Sequence, residues 1–168
     1  SNSNNSLVIS NGGSVVNSYG YIGYDSNSSN NSVLVTGAGS VWTNSGSGSI
    51  GYSGSGNNLI ISNGGTVANT RGYIGNQATS SNNSVLVTDG GTWTNSEFLY
   101  VGVSGSGNSL VISNGGTVAN TDGYIGLTTN SSNNSVLVTD GGTWTNSGNL
   151  SVGFRGSGSS LVISNGGE

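Results

Sequence analysis

Asn83-Ser84-Val85-Leu86-Val87-Thr88-Asp89-Gly90-Gly91-Thr92-Trp93-Thr94-Asn95 decides the fold of this chain. Ser84 to Thr88 is apolar and β-branched, bounded by Asn and Asp-Gly-Gly, and reads as a short strand. Asp89-Gly90-Gly91 is a turn, because Gly accepts positive φ without steric cost. Thr92 to Asn95 alternates polar and apolar and reads as a second strand. Leu99-Tyr100-Val101, closed by Gly102, reads as a third, and Val103 to Gly107 is a loop into another copy of the same pattern.

That pattern recurs about every 26 residues, with anchors at Leu7, Val33, Leu59, Val85, Leu110, Val136 and Leu161. A period in this range means one structural unit stacked on copies of itself. Three short strands per turn and no helical period predict an all-β fold: a parallel β-helix, or β-solenoid, expected to be right-handed. It has about six and a half coils. Each coil rises by one strand spacing, so six steps give a length of roughly 29 Å. Residues 1–168 read as a single solenoid segment of a longer array. A lone coil buries too few apolar groups to offset its ordering entropy and is not expected to fold by itself.

The columns assign the interior. Leu7, Val33, Leu59, Val85, Leu110, Val136 and Leu161 face inward with Ile9, Val35, Ile61, Val87, Ile112, Val138 and Ile163. Val15, Trp42, Val67, Trp93, Val118 and Trp144 form a second wall, and Ile22, Ile50, Ile74, Val101, Ile125 and Val152 a third. Trp42, Trp93 and Trp144 alternate with Val, a large–small interleaving that fills a core without crowding. The true repeat is therefore two coils. Asn17, Asn44, Asn69, Asn95, Asn120 and Asn146 lie two positions beyond each Val or Trp and are expected to stack as an internal amide ladder. One extra residue before Trp42, in Gly37-Ala38-Gly39-Ser40-Val41, is expected to form a bulge.

Composition excludes much. The chain has no His, Cys, Met, Pro or Lys, and only 5% of its residues are charged. Triads with His, zinc sites and Lys-dependent chemistry lack their residue types. A net charge of −4 with two arginines cannot neutralise a phosphate backbone, so nucleic acid is not an expected partner. No apolar run approaches the roughly 18 residues of a membrane helix. No cofactor and no metal are expected. Asp89 and Asp140 share one column two coils apart, but Asn11, Asn63 and Asn114 occupy the same column, which makes a turn role the stronger reading than catalysis or calcium binding.

Two outward features remain. Val8, Leu34, Ile60, Leu86, Val111, Leu137 and Val162 occupy the middle of each first strand. Either they form an exposed apolar stripe, a possible lateral interface, or a bend hides them. Tyr21, Tyr73, Tyr100 and Tyr124 form a partial aromatic column that could stack on sugar rings or pack across strands. Arg71, Glu97 and Asp122 read as surface decoration, and the irregular positions look scattered, with no site where chemistry gathers.

Leu-Val-Ile-Ser-Asn-Gly-Gly-Thr-Val-Ala-Asn-Thr (110–121) and Ser-Val-Leu-Val-Thr-Asp-Gly-Gly-Thr-Trp-Thr-Asn-Ser (135–147), with Gly-Tyr-Ile-Gly (123–126) and Val-Gly-Phe-Arg-Gly-Ser-Gly (152–158), resemble the autotransporter and PEP-CTERM-associated β-helix repeats of bacterial surface proteins. The resemblance covers essentially the whole chain. It implies an exported stalk or adhesin passenger at the bacterial cell surface, without catalytic residues. The expected function is an extracellular structural rod. The alternatives are a self-assembling extracellular filament and, more remotely, a glycan-binding or glycan-cleaving β-helix. Expected partners are further copies of the chain, side by side or end to end, or a host or glycan surface.

Overall fold

The computed structural model describes residues 3–168, and those residues contain strands and turns but no helix. Three parallel sheets wind into a β-solenoid of about six turns. The first stacks Ser6–Ile9, Ser32–Thr36, Asn58–Ser62, Ser84–Val87, Ser109–Ile112, Ser135–Val138 and Ser160–Ile163. The second stacks Ser14–Asn17, Val41–Asn44, Thr66–Asn69, Thr92–Asn95, Thr117–Asn120 and Thr143–Asn146. The third stacks Gly20–Ile22, Ser47–Ile50, Arg71–Ile74, Phe98–Val101, Asp122–Ile125 and Leu150–Val152.

Register follows the repeat. Val85 lies between Leu59 and Leu110, and Trp93 between Val67 and Val118. Because a one-residue slip would turn every apolar side chain outward, the buried columns pin this register. The inward columns are buried in the middle coils, with Leu59, Val87, Trp93 and Ile125 all at 0–1% exposure. Burial fades only at the ends, where Leu7, Val152 and Ile163 lose the coil that would cover them.

Asn11, Asn63, Asn114 and Asn165 adopt left-handed φ of 46–54°, and Asp89 and Asp140 have φ of 50°. The shared column is a turn position that Asn and Asp tolerate better than other side chains. The extra residue before Trp42 sits in this same turn rather than in a bulge. Gly37 and Gly39 both take positive φ there, and Val41 and Trp42 keep unbroken register with Ser14 and Val15 below and Thr66 and Val67 above. The turn carries only sparse coil-to-coil hydrogen bonds of 3.1–3.3 Å, such as Gly37 N–H to the Ser62 carbonyl, so it absorbs an insertion that a strand would not.

The Asn column predicted at the second corner is internal. Asn17 Nδ2 donates to Asn44 Oδ1 and Asn120 Nδ2 to Asn146 Oδ1, while the Asn69 amide lies 2.6 Å from Asn44 and 3.1 Å from Asn95. No hydrogen bond joins Asn95 to Asn120, so the ladder runs in two segments. Its second task is to satisfy the tryptophans. Trp42 Nε1 donates to Asn17 Oδ1 (2.9 Å) and Trp144 Nε1 to Asn120 Oδ1 (2.7 Å). Asn69 Oδ1 serves either Asn44 Nδ2 or, with the amide turned, Trp93 Nε1 at 2.7 Å, but not both. A buried indole N–H needs such an acceptor.

A second ladder, not foreseen from the sequence, is more complete. Asn5, Asn31, Asn57, Asn83, Asn108 and Asn134 immediately precede the first-sheet strands. In each step both the backbone N–H and Nδ2 of one Asn donate to Oδ1 of the next, at 2.8–3.1 Å from Asn5 through Asn134. Asn57, Asn83, Asn108 and Asn134 are fully buried. The ladder satisfies backbone donors at a corner where the sheet hydrogen bonds lapse.

The Val/Trp alternation also has a partner the sequence reading missed. A methyl group on Gly72 would lie 2.8 Å from Trp93 Cζ2, and one on Gly123 would lie 2.9 Å from Trp144 Cζ2. Each indole thus fills the space left by the inward glycine of Gly-Tyr-Ile in the preceding coil. Gly54, Gly105 and Gly156 play a similar part, for a side chain there would collide with the carbonyl oxygens of Ser28, Ser80 and Ser131.

Candidate functional face

Aligning the two-coil blocks shows where the repeat is free to vary. Residues 83–96 and 134–147 are identical over 14 positions, whereas 97–104 and 148–155 differ at five of eight. The odd coils behave alike: 63–70 and 114–121 are identical, while Arg71, Asn76, Gln77, Ala78 and Thr79 become Asp122, Leu127, Thr128, Thr129 and Asn130. The identical stretches build the first and second sheets. The variable ones build the outer face of the third sheet and its flanking loops. The irregular residues are therefore not scattered, which corrects the expectation from the linear sequence. In repeat proteins, stacking forces uniformity on the scaffold, and variation gathers on the face that stacking leaves free.

All seven Tyr and both Phe lie on this face. The register sets Tyr21, Ser49, Tyr73, Tyr100, Tyr124 and Ser151 in one column. Tyr73, Tyr100 and Tyr124 stack with centroids 5.2 and 5.3 Å apart and planes within 15°. Their ring faces cover one another, so they present edges and hydroxyl groups outward. A sugar ring, which needs an open aromatic face, finds none inside this stack. At the first coils Tyr24 and Tyr52 stack at 5.1 Å, and Tyr21 meets both edge-on. Burial and the neighbouring tyrosines raise the Tyr21 and Tyr100 phenol pKa values above the ordinary 10.0.

Both arginines are here as well. Arg71 Nε donates to Glu97 Oε2 at 2.6 Å, and its guanidinium lies 5.7 Å from the Phe98 ring centre. The hydrogen bond and charge of Glu97 raise the Arg71 pKa further. The register sets Phe98, not Glu97, in the column of Arg71 and Asp122, and Asp122 accepts from the backbone N–H of Asn149 at 2.6 Å. Arg155 lies 5.9 Å from the Phe154 ring centre.

The stripe on the first sheet faces outward as alternation requires, without a bend. Val8 and Val162 at the ends are exposed, while Leu34, Ile60, Leu86, Val111 and Leu137 are half-buried by their neighbours in the column. Asp89 and Asp140 remain turn residues. Among the described residues no three acidic side chains gather as a metal cluster would require, and no helix is long and apolar enough to cross a membrane.

The fold and this face define a parallel β-solenoid with a constant scaffold and one variable, aromatic side. No family model, no curated protein and no solved structure matches the chain.

Proposed function

We propose that the chain is a structural rod of the bacterial cell exterior, a stalk or passenger segment that supplies length and displays the variable third-sheet face. The observation that carries this reading is the division of labour within each block. Two sheets and two Asn ladders repeat with few changes, and the chain concentrates its sequence variety on the third side. Such a design adds length in fixed increments, about 4.8 Å per coil, while leaving the display face free to differ. The extracellular setting follows the resemblance of the repeats to those of bacterial surface proteins. The test places one, two or three copies of block 57–107 between a surface anchor and a fluorescent domain. Reporter height rising by about 9.6 Å per added block supports the rod, and an unchanged height sinks it.

A further inference from the structure

We infer that the third-sheet face is a self-complementary surface through which two copies of this chain pair side by side in antiparallel orientation. Two columns of this face and one position in its flanking loops carry the inference. Two residues beyond the glycine that closes each third strand stand Asp25, Ser53, Gln77, Ser104, Thr128 and Arg155. This loop position is acidic in the first coil, basic in the sixth and neutral between. Its two charges are five coil steps, about 24 Å, apart, so they cannot meet within one copy.

A twofold axis lying in the interface along the strand direction reverses coil order while keeping each column opposite itself. Coil one then faces coil six, two faces five, and three faces four. Asp25 meets Arg155 of the second copy, and this happens twice by symmetry. In the column that begins the third strands, Arg71 meets Phe98 and Glu97 of the second copy, extending the pair and the cation–π contact already made within each chain. Asp122 falls opposite Ser47 and itself meets no like charge. In the aromatic column, Ser49 and Ser151 are the two positions without a ring. Reversal sets Tyr124 opposite the first and Tyr21 opposite the second. Charge and size thus complement each other in one and the same register.

The residue types suit an interface. Tyr, Phe and Arg are the side chains enriched at protein–protein contacts, and Tyr gives large contact area at low entropic cost. The size of the face fixes the strength. Six coils of about 4.8 Å by six residues of about 3.3 Å give roughly 600 Å² per copy, or about 1,200 Å² in all, the lower limit of specific interfaces. The pair is therefore weak and reversible.

Sedimentation equilibrium of the whole chain from about 10 µM to 1 mM tests this. The expected result is a monomer–dimer equilibrium that stops at two. Asp25→Arg and Arg155→Asp, both in exposed loops, should each weaken the dimer about tenfold, the order expected when two symmetry-related surface pairs become repulsive. The double reversal Asp25→Arg/Arg155→Asp should restore it to within about threefold, while Leu86→Ser/Val111→Ser on the first sheet should leave it unchanged. Circular dichroism confirms that each variant is folded. A monomer at every concentration, growth beyond two copies, a double variant that fails to recover, or a dimer lost with the first-sheet variant would each overturn the inference.

Discussion

Replacing Asn83 with Ala removes one rung from the middle of the complete ladder. Asn83 Oδ1 accepts from the Asn57 backbone N–H at 2.8 Å and from Asn57 Nδ2 at 3.0 Å, and its own Nδ2 donates to Asn108 Oδ1 at 3.1 Å. Both asparagine neighbours and Asn83 itself are fully buried, so water cannot take its place. Two donors on Asn57 lose their acceptor, at about 1–3 kcal/mol each. Asn108 Oδ1 keeps one donor, the Asn83 backbone N–H at 2.9 Å, which limits the loss on that side. The expected cost is about 3–5 kcal/mol, a large part of the roughly 5–15 kcal/mol that holds a typical domain folded. Asn5→Ala supplies the control. Asn5 is exposed at the first coil, its Nδ2 donates to Asn31 and its side-chain oxygen accepts from no described residue, so losing the side chain strands no buried donor and should cost under about 1 kcal/mol. Urea unfolding followed by fluorescence of the buried Trp42, Trp93 and Trp144 measures both. The ladder argument is refuted if Asn83→Ala costs no more than Asn5→Ala.

Other outcomes follow from the same geometry. Gly72→Ala should destabilise by about 1–3 kcal/mol, because its methyl group would press on Trp93 and on Asn95 Oδ1, 2.6 Å away; a thermal melt reads it. Asp89→Asn should leave stability unchanged within about 0.5 kcal/mol, whereas Asp89→Val should cost about 1–2 kcal/mol at its left-handed φ, a contrast that a catalytic or calcium role would not produce. Arg71→Ala should shift the urea midpoint only slightly, since both partners of its ion pair are more than 40% exposed, and the shift should vanish at high salt. Tyr21 and Tyr100 have phenol pKa values raised above 10.0 in the folded chain, so folding favours their neutral forms. Their contribution is complete below pH 10 and is lost as pH rises through the folded values, and stability measured against pH should fall on the alkaline side in step with phenolate absorbance.

The fold was legible because its evidence lies in columns. Val85, Val87, Trp93 and Val101 repeat at fixed offsets, and period-two alternation leaves one inward set. The Asp89 turn was legible because Asn63 and Asn114 stand in its place. What escaped the sequence was three-dimensional complementarity between different columns. Nothing in the linear chain says that Gly72 is small because Trp93 lies above it. The asparagines of the second ladder, Asn57 and Asn83, were visible in the motif, yet they sit just outside a strand, where alternation gives no inward or outward sense. Of the aromatic face, the column of Tyr21, Tyr73, Tyr100 and Tyr124 was legible, whereas Tyr24, Tyr52, Phe98 and Phe154 escaped because they fall at different points of the two-coil block and join it only after winding. Aligning whole blocks, and asking which positions vary between otherwise identical copies, is the signal that would have found it.

The account rests on a stack that grows by one strand spacing per coil. Small-angle X-ray scattering of the chain, and of a variant in which residues 57–107 occur twice in tandem, tests this most directly. The account predicts a particle longer by about 9.6 Å with an unchanged cross-sectional radius. A particle that swells in cross-section, or gains no length, would contradict it.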